Sequence, residues 1–425
     1  MTERSFTPNG ETISGRRFSR AWASGLLLLI GVSWRLWFPT AKDSYPSVPL
    51  LPITETMLPA ILQFGSICSF VLVACLAWIA LGKEFHKAWI VSSLVLLICF
   101  LSDQHRIQPW AYQSFFYGIM FGLIPIESWK HWMRPFIVSI YAYSALGKFD
   151  AQFLNTVGND FVEVVITKLP SIVAESAQNH QVTISTILPI TELLVAGSLC
   201  IVTLRIYGSM AAIAMHLSLI AILGPWAKNH SWGVLIWNAL LIAQHLYLIS
   251  ACIHAPRSQT SSPSPQGKSS NTKRREVIIG LLWIIAIGAP TMERQGYWDH
   301  WTSWSLYSPH TSRAKIELHQ SVVGNLDHFQ RISLMPDNDF DQWQEINLSE
   351  WSLSTRGVPV YPQARYQLEL AAIIASGLSD THGVRVKLQS VSDRRTGRRR
   401  EELLFNLHEI NQARRQFWLH PKPGI

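Results

Sequence analysis

Arg205-Ile206-Tyr207-Gly208-Ser209-Met210-Ala211-Ala212-Ile213-Ala214-Met215-His216-Leu217-Ser218-Leu219-Ile220-Ala221-Ile222-Leu223-Gly224-Pro225 is the stretch that decides how this chain is built. It opens on one cation, carries one further ionisable group, His216, and stops at Gly-Pro. About 20 predominantly apolar residues are what a helix needs to cross a bilayer. The segment therefore predicts a membrane span with Arg205 at its cytoplasmic end. Working outward, comparable blocks lie near 21–39, 58–82, 88–102, 111–126, 135–148, 185–204, 232–253 and 277–292. Four of these are short, and short blocks span by thinning the bilayer or by snorkelling. The reading is an all-α polytopic membrane bundle of about nine spans, followed by a small C-terminal α+β domain.

Charge placement orients the bundle. Only 15% of the 425 residues are charged against 48% hydrophobic, which excludes a disordered or collagen-like chain. Residues 1–289 hold 20 Lys and Arg against 13 Asp and Glu, while the rest is nearly balanced at 16 against 15. Of the net charge of +8, +7 thus belongs to the membrane part, which argues for helix-flanking cations rather than a nucleic-acid surface. Arg4, Arg16, Arg17 and Arg20 precede the first block; Lys83, Lys87, Lys130, Arg134, Arg205, Arg257, Lys268, Lys273, Arg274 and Arg275 occupy alternate connections. The intervening connections are poorer in cations. This alternation predicts a multi-pass protein of the cell (inner) membrane, with a cytoplasmic N-terminal segment over 1–20 and an extracytoplasmic tail over 293–425.

Two other readings compete with parts of that topology. Arg16-Arg17-Phe18 faintly resembles a twin-arginine signal, but no small-residue cleavage site follows, so a retained first helix is favoured. Residues 277–292 could instead lie on the membrane, which would leave the tail cytoplasmic. Residues 254–275, rich in Ser and Pro, read as a flexible linker. Cys68, Cys75, Cys99, Cys200 and Cys252 fall in apolar blocks without a CxxC pair, so they read as small apolar residues.

In the tail, Ala314–Leu318 and Val384–Leu388 alternate as strands, 361–376 reads as a helix and Asp393–Arg398 as a turn. The Arg cluster over 394–400 reads as a solvated turn or as a contact with anionic headgroups. Trp298, Trp301 and Trp304, with Tyr297 and Tyr307, either seat the tail on the membrane face or form part of its core. The tail shows no nucleotide loop, metal spacing or nucleophile elbow.

Polar groups inside a bilayer are costly and point to function by default. In this topology they gather on the outward side: Asp103, His105 and Arg106 in the third connection, Lys148 at the end of the fifth block, Glu192 in the sixth, His216 in the seventh, and Trp226 and Asn229 in the connection after it. An outward pocket lined by Asp103, His105, Lys148, Glu192 and His216 is allowed by this arrangement. A lysine beside a low-dielectric cavity can work as a neutral base or nucleophile, although Asp150 would favour its charged form. The plainer readings are an Arg35–Glu192 ion pair between helices, a satisfied interhelical contact for His216, and a turn capped by Asp103 and Arg106. His245 falls in the inner half of its block and stays outside the pocket.

The segment Ala145-Leu146-Gly147-Lys148-Phe149-Asp150-Ala151-Gln152-Phe153 resembles a motif of the vitamin K-dependent γ-glutamyl carboxylase family. The Glu192 helix, the Arg205 turn and Met215-His216-Leu217 leading to Gly224-Pro225 resemble that family's membrane half, and with it the broader HTTM (horizontally transferred transmembrane domain) group. The likeness spans residues 15–255. It implies Lys148 as a base toward a reduced quinone and, more weakly, a functional His105. The large β-rich region of the animal carboxylase has no counterpart in the short tail, so glutamate carboxylation does not carry over. The expectation is an HTTM-type membrane protein with an outward polar site for a quinone-like or lipid-linked substrate, with Asp103, Arg106, Glu192, His216, Trp226 and Asn229 lining it. The competing expectation is a non-catalytic membrane assembly component that seats the tail and holds a protein partner.

Overall fold

A computed structural model describes residues 10–39, 45–51, 58–83, 85–253, 270–337 and 340–417. Each of the nine apolar blocks forms a helix: α1 Gly10–Val32, α2 Leu58–Ala80, α3 His86–Ser102, α4 Pro109–Leu123, α5 Ile126–Lys148, α6 Ile187–Cys200, α7 Arg205–Leu223, α8 Trp232–Ile253 and α9 Ser270–Gly288. Among the described residues, four helical stretches are long and apolar enough to cross a membrane: Gln181–Cys200, Val202–Leu223, Trp232–Ile253 and Ser270–Met292. Four of the others fall short for physical reasons: helices α3 and α4 are only 17 and 15 residues long, and α1 and α5 carry several cations within their own turns.

Helix α1 begins at Gly10 and includes Arg16, Arg17 and Arg20 of the basic N-terminal segment. Helix α9 likewise starts at Ser270, inside the span assigned to the linker; most of that linker, like Arg4, lies outside the described residues. The fifth connection is not a plain loop either. It folds as four short helices, Ala151–Asn155, Val157–Ile166, Ser171–Asn179 and Gln181–Ser185, from which Val165, Ile172 and Val173 project into solvent or lipid.

Small residues let the helices approach. On α4, Gly118 and Gly122 face α3: a Cβ at Gly122 would lie 2.9 Å from the His86 carbonyl oxygen, and one at Gly118 would lie 3.2 Å from that of Trp89. This is the small-xxx-small spacing of closely packed membrane helices. Helix α1 packs between α2 and α8, and α5 lies along α6. Large apolar side chains such as Phe70, Leu194, Tyr207 and Ile284 point outward from α2, α6, α7 and α9. An exterior of this kind is costly in water and cheap in lipid.

The tail contains a four-stranded antiparallel sheet, ordered β2-β1-β3-β4, from β1 Arg313–His319, β2 Trp343–Glu345, β3 Val384–Gln389 and β4 Glu401–Phe405. Ile316 pairs with Val386 and Leu318 with Val384, so the alternation read from the sequence puts these four side chains on the buried face. Between and after the strands come α10 Leu348–Arg356, α11 Ala364–Gly377 and α12 Asn406–Arg414. Helix α11 packs on β1 and β3, and the Arg414–Glu369 ion pair ties α12 to it.

The tail does not merely sit on the bundle; the two share one core. Trp304 is fully buried, with its ring 5.4 Å from Tyr112 of α4 and 5.5 Å from Phe136 of α5. Trp304, the last of the three tryptophans, thus enters the bundle, while Trp301 packs edge-on against Tyr361 at 5.2 Å, inside the tail as one of the two expectations had it. In the Arg cluster, Arg394, Arg395, Arg398 and Arg400 are exposed, as a solvated turn requires, whereas Arg399 docks, donating to the carbonyl of Thr311 and to Gln152 Oε1 at 2.7 Å each.

Candidate functional site

Lys148 is the last residue of α5, where the helix ends against α6. Its side chain is 5% exposed. The Nζ donates to Glu192 Oε1 and Oε2 at 2.8 and 2.9 Å, and to Ser144 Oγ, one turn back, at 2.5 Å. All three ammonium donors are thereby directed, as a desolvated cation requires. Asp150, the partner considered from sequence, is engaged elsewhere: it caps the next turn through Gln152 N–H and accepts from Arg294 at 2.8 Å. The Arg35–Glu192 pair is likewise corrected, because Arg35 donates to the Ser354 carbonyl at 2.8 Å. A Cβ at Gly147 would lie 2.8 Å from Ser308 Oγ, so the tail closes directly over this end of α5.

Tyr141 is seven residues back on the same face of α5. Its hydroxyl lies 2.7 Å from both His216 Nε2 on α7 and His245 Nε2 on α8. His216 Nδ1 is 2.8 Å from Asn238 Oδ1, and the Asn238 amide donates to the Val234 carbonyl at 2.9 Å. These contacts fix every proton. The Asn238 oxygen can only accept, so His216 carries its hydrogen on Nδ1 and offers a lone pair at Nε2. Tyr141 donates to that lone pair and accepts from His245 Nε2–H. The chain of donors runs His245, Tyr141, His216, Asn238. At its head, His245 Nδ1 is a buried lone pair with no partner among the described residues. Beside it on α8, Gln244 accepts from Gln113 and Tyr117 of α4 at 2.9 and 2.6 Å.

Asp103, His105 and Arg106 form a separate cluster beneath the tail, all buried. Asp103 caps the turn Gln104–Arg106 by accepting from His105 N–H at 3.1 Å, and its other oxygen faces Arg356 of α10 at 3.5 Å. His105 Nε2 is 2.9 Å from the Pro359 carbonyl, and burial pushes its pKa down to about 4 despite Asp103 beside it. Arg106 donates to the Leu36 carbonyl at 3.1 Å. The plain reading of Asp103 as a turn cap therefore holds, and His105 shares no hydrogen-bond partner with Lys148. Trp226 and Asn229 are exposed in the turn after α7; Trp226 Nε1 donates to the Ala221 carbonyl, and Asn229 adopts φ of 48°. Of the pocket read from sequence, the structure brings Lys148 and Glu192 together and places His216 one step along. It sets Asp103, His105 and Arg106 in a tail-facing cluster, and leaves Trp226 and Asn229 on the surface.

The sequence reading missed Tyr141, Asn238 and His245 as a set. The signal was Tyr141, Ser144 and Lys148 at helical spacing, which places all three on one face of α5. It also missed Glu293, His300 and His310. His300 Nδ1 and His310 Nε2 each lie 2.9 Å from the Glu293 carboxylate. Burial would raise this carboxyl, yet the two imidazoles hold it below the usual carboxylate range. Glu293, His300 and His310 could together hold a metal ion, their ligand atoms lying within 4.8 Å of one another. Their spacing follows no motif because the intervening chain is irregular.

Comparison with known protein families, with characterised proteins and with solved structures returned no match.

Proposed function

We propose that the chain is a polytopic membrane protein in which Lys148 and Glu192 form a proton-exchanging pair for a lipid-soluble substrate of the quinone class. In this reading the nine helices alternate across the bilayer and the Lys148 end of α5 faces away from the cytosol. The buried Lys148–Glu192 pair carries the proposal. Two desolvated charges add little stability compared with apolar residues of similar volume, so retaining them in a helix interface calls for another reason. Passing a proton from Lys148 to Glu192 turns the ion pair into a neutral amine and a neutral acid, which frees the amine as a base. The Tyr141–His216–His245 chain supplies a neighbouring route along which protons can be replaced. The resemblance of 145–153 to the carboxylase motif names the same lysine. With His105 committed to the Pro359 carbonyl, the catalytic assignment rests on Lys148 alone.

The test is turnover of a reduced quinone by protein in lipid nanodiscs under air, with dioxygen as the oxidant and oxygen source, followed as epoxide or quinone. Lys148→Met combined with Glu192→Leu serves as the uncharged comparison. Loss of turnover in the variant supports the reading, and equal rates remove Lys148 from any catalytic role.

A second reading draws on the shared core of bundle and tail, which makes one body suited to holding a partner on the tail side. A stoichiometric partner lost on deleting 293–425, with no quinone chemistry, would favour that scaffold function.

A further inference from the structure

The geometry points to a divalent transition-metal site made by Glu293, His300 and His310, immediately beyond the end of α9. Two imidazoles and one carboxylate are a donor set that suits Zn²⁺ and its first-row neighbours, leaving a fourth position open. Zinc bonds of 2.0–2.2 Å in a tetrahedron require ligand atoms about 3.3 Å apart. Each imidazole nitrogen here stands 2.9 Å from the Glu293 carboxylate, and all three ligand atoms lie within 4.8 Å of one another, so the two Glu–His separations need open by only a few tenths of an ångström to admit an ion. All three side chains are at most 8% exposed, and among the described residues the Glu293 carboxylate is hydrogen-bonded to the two imidazoles. Arg294, the adjacent cation, is drawn off to Asp150.

Two further observations favour an ion over a purely hydrogen-bonded cluster. The first is a concentration of buried polar atoms without partners in the same region: His310 Nδ1, Ser303 Oγ, Ser308 Oγ, and the Oγ of Ser392, whose N–H binds the His310 carbonyl. A metal-bound imidazole needs an acceptor at its second nitrogen, directly or through water, and His310 Nδ1 is a buried nitrogen that a water among these groups would satisfy. The second is backbone strain. Between the two histidines, Trp304 and Tyr307 hold φ of 59° and 61°, a left-handed conformation costly for bulky residues. A metal clip closing this irregular stretch would offset that cost.

The experiment uses the full-length protein purified through a tag free of histidine, stripped with a chelator and titrated with Co²⁺. The expected result is about one Co²⁺ per chain, with the strong visible absorption of a four-coordinate ion, displaced by Zn²⁺. Glu293→Gln, His300→Gln and His310→Gln should each weaken binding by at least about 100-fold. His382→Gln, at a histidine 80% exposed, should leave it unchanged. Wild-type protein that shows no such absorption overturns the assignment, as does a His310→Gln protein that titrates like wild type. Where a variant does not fold, the wild-type spectrum decides, because ions on exposed histidines absorb weakly. None of these readouts depends on quinone turnover.

Discussion

Glu192→Leu tests the centre of the proposed site most directly. The substitution keeps an apolar side chain against α5 but leaves the Lys148 ammonium with only Ser144 of its present partners. At 2.8 Å and an effective dielectric near 20, the attraction removed is about 6 kcal/mol before solvation is counted. Desolvation offsets much of that in the intact pair. Removing one partner of a buried pair costs about 3–5 kcal/mol, because the remaining charge has nowhere to go. Removing both should cost far less: Lys148→Met with Glu192→Leu returns the interface to apolar packing and is expected to be between neutral and about 1–4 kcal/mol more stable than wild type. The assay is thermal or denaturant unfolding in one detergent for wild type, both singles and the double, with Glu163→Gln at an exposed position as baseline. The four values close a cycle whose coupling term isolates the pair. A Glu192→Leu protein as stable as the Glu163→Gln baseline would refute the reasoning, and so would a double variant weaker than either single.

Two further outcomes follow from the tail docking and from buried histidine. Gly147→Val places carbon against Ser308 and Ser305, and should cost about 1–3 kcal/mol by overpacking; hydrogen exchange over 303–308 should quicken, and unchanged exchange would show that the tail does not rest on α5. His105, with its pKa near 4 in the folded protein and 6.5 when unfolded, binds fewer protons folded than unfolded between those values, so stability should fall by about 3 kcal/mol as pH drops from 6.5 to 4 and level off below. Asp103 and Arg356 face the same ring, so the check is whether His105→Asn flattens that part of the pH profile relative to wild type.

The helices were legible because apolar continuity is a one-dimensional signal: each block from 21–39 to 277–292 reappears as a helix. Strand alternation did the same for β1 and β3. The strand β4 and the short helices over 151–185 left weaker patterns, since one is an edge and the others lie partly exposed. Which polar residues meet is a different kind of information. Lys148 and Glu192 were each visible, but the partner of Glu192 depended on α6 lying along α5 rather than near Arg35. Position relative to the bilayer grouped Asp103 and His105 with Lys148; the tail separated them by supplying Arg356 and the Pro359 carbonyl. His245 was set aside on depth alone, yet a tyrosine on a third helix bridges it to His216.

The string of hydrogen bonds through Tyr141 has a sense of direction, and that has a kinetic consequence. A proton arriving at His245 Nδ1 would reverse the Tyr141 hydroxyl and come to rest on His216 Nε2, because an amide oxygen such as that of Asn238 accepts a hydrogen bond without taking the proton. The Asn238 amide, tied to the Val234 carbonyl, closes that end of the string. A string closed in this way holds one proton at a time, as charge on a buried ring, rather than carrying a flow.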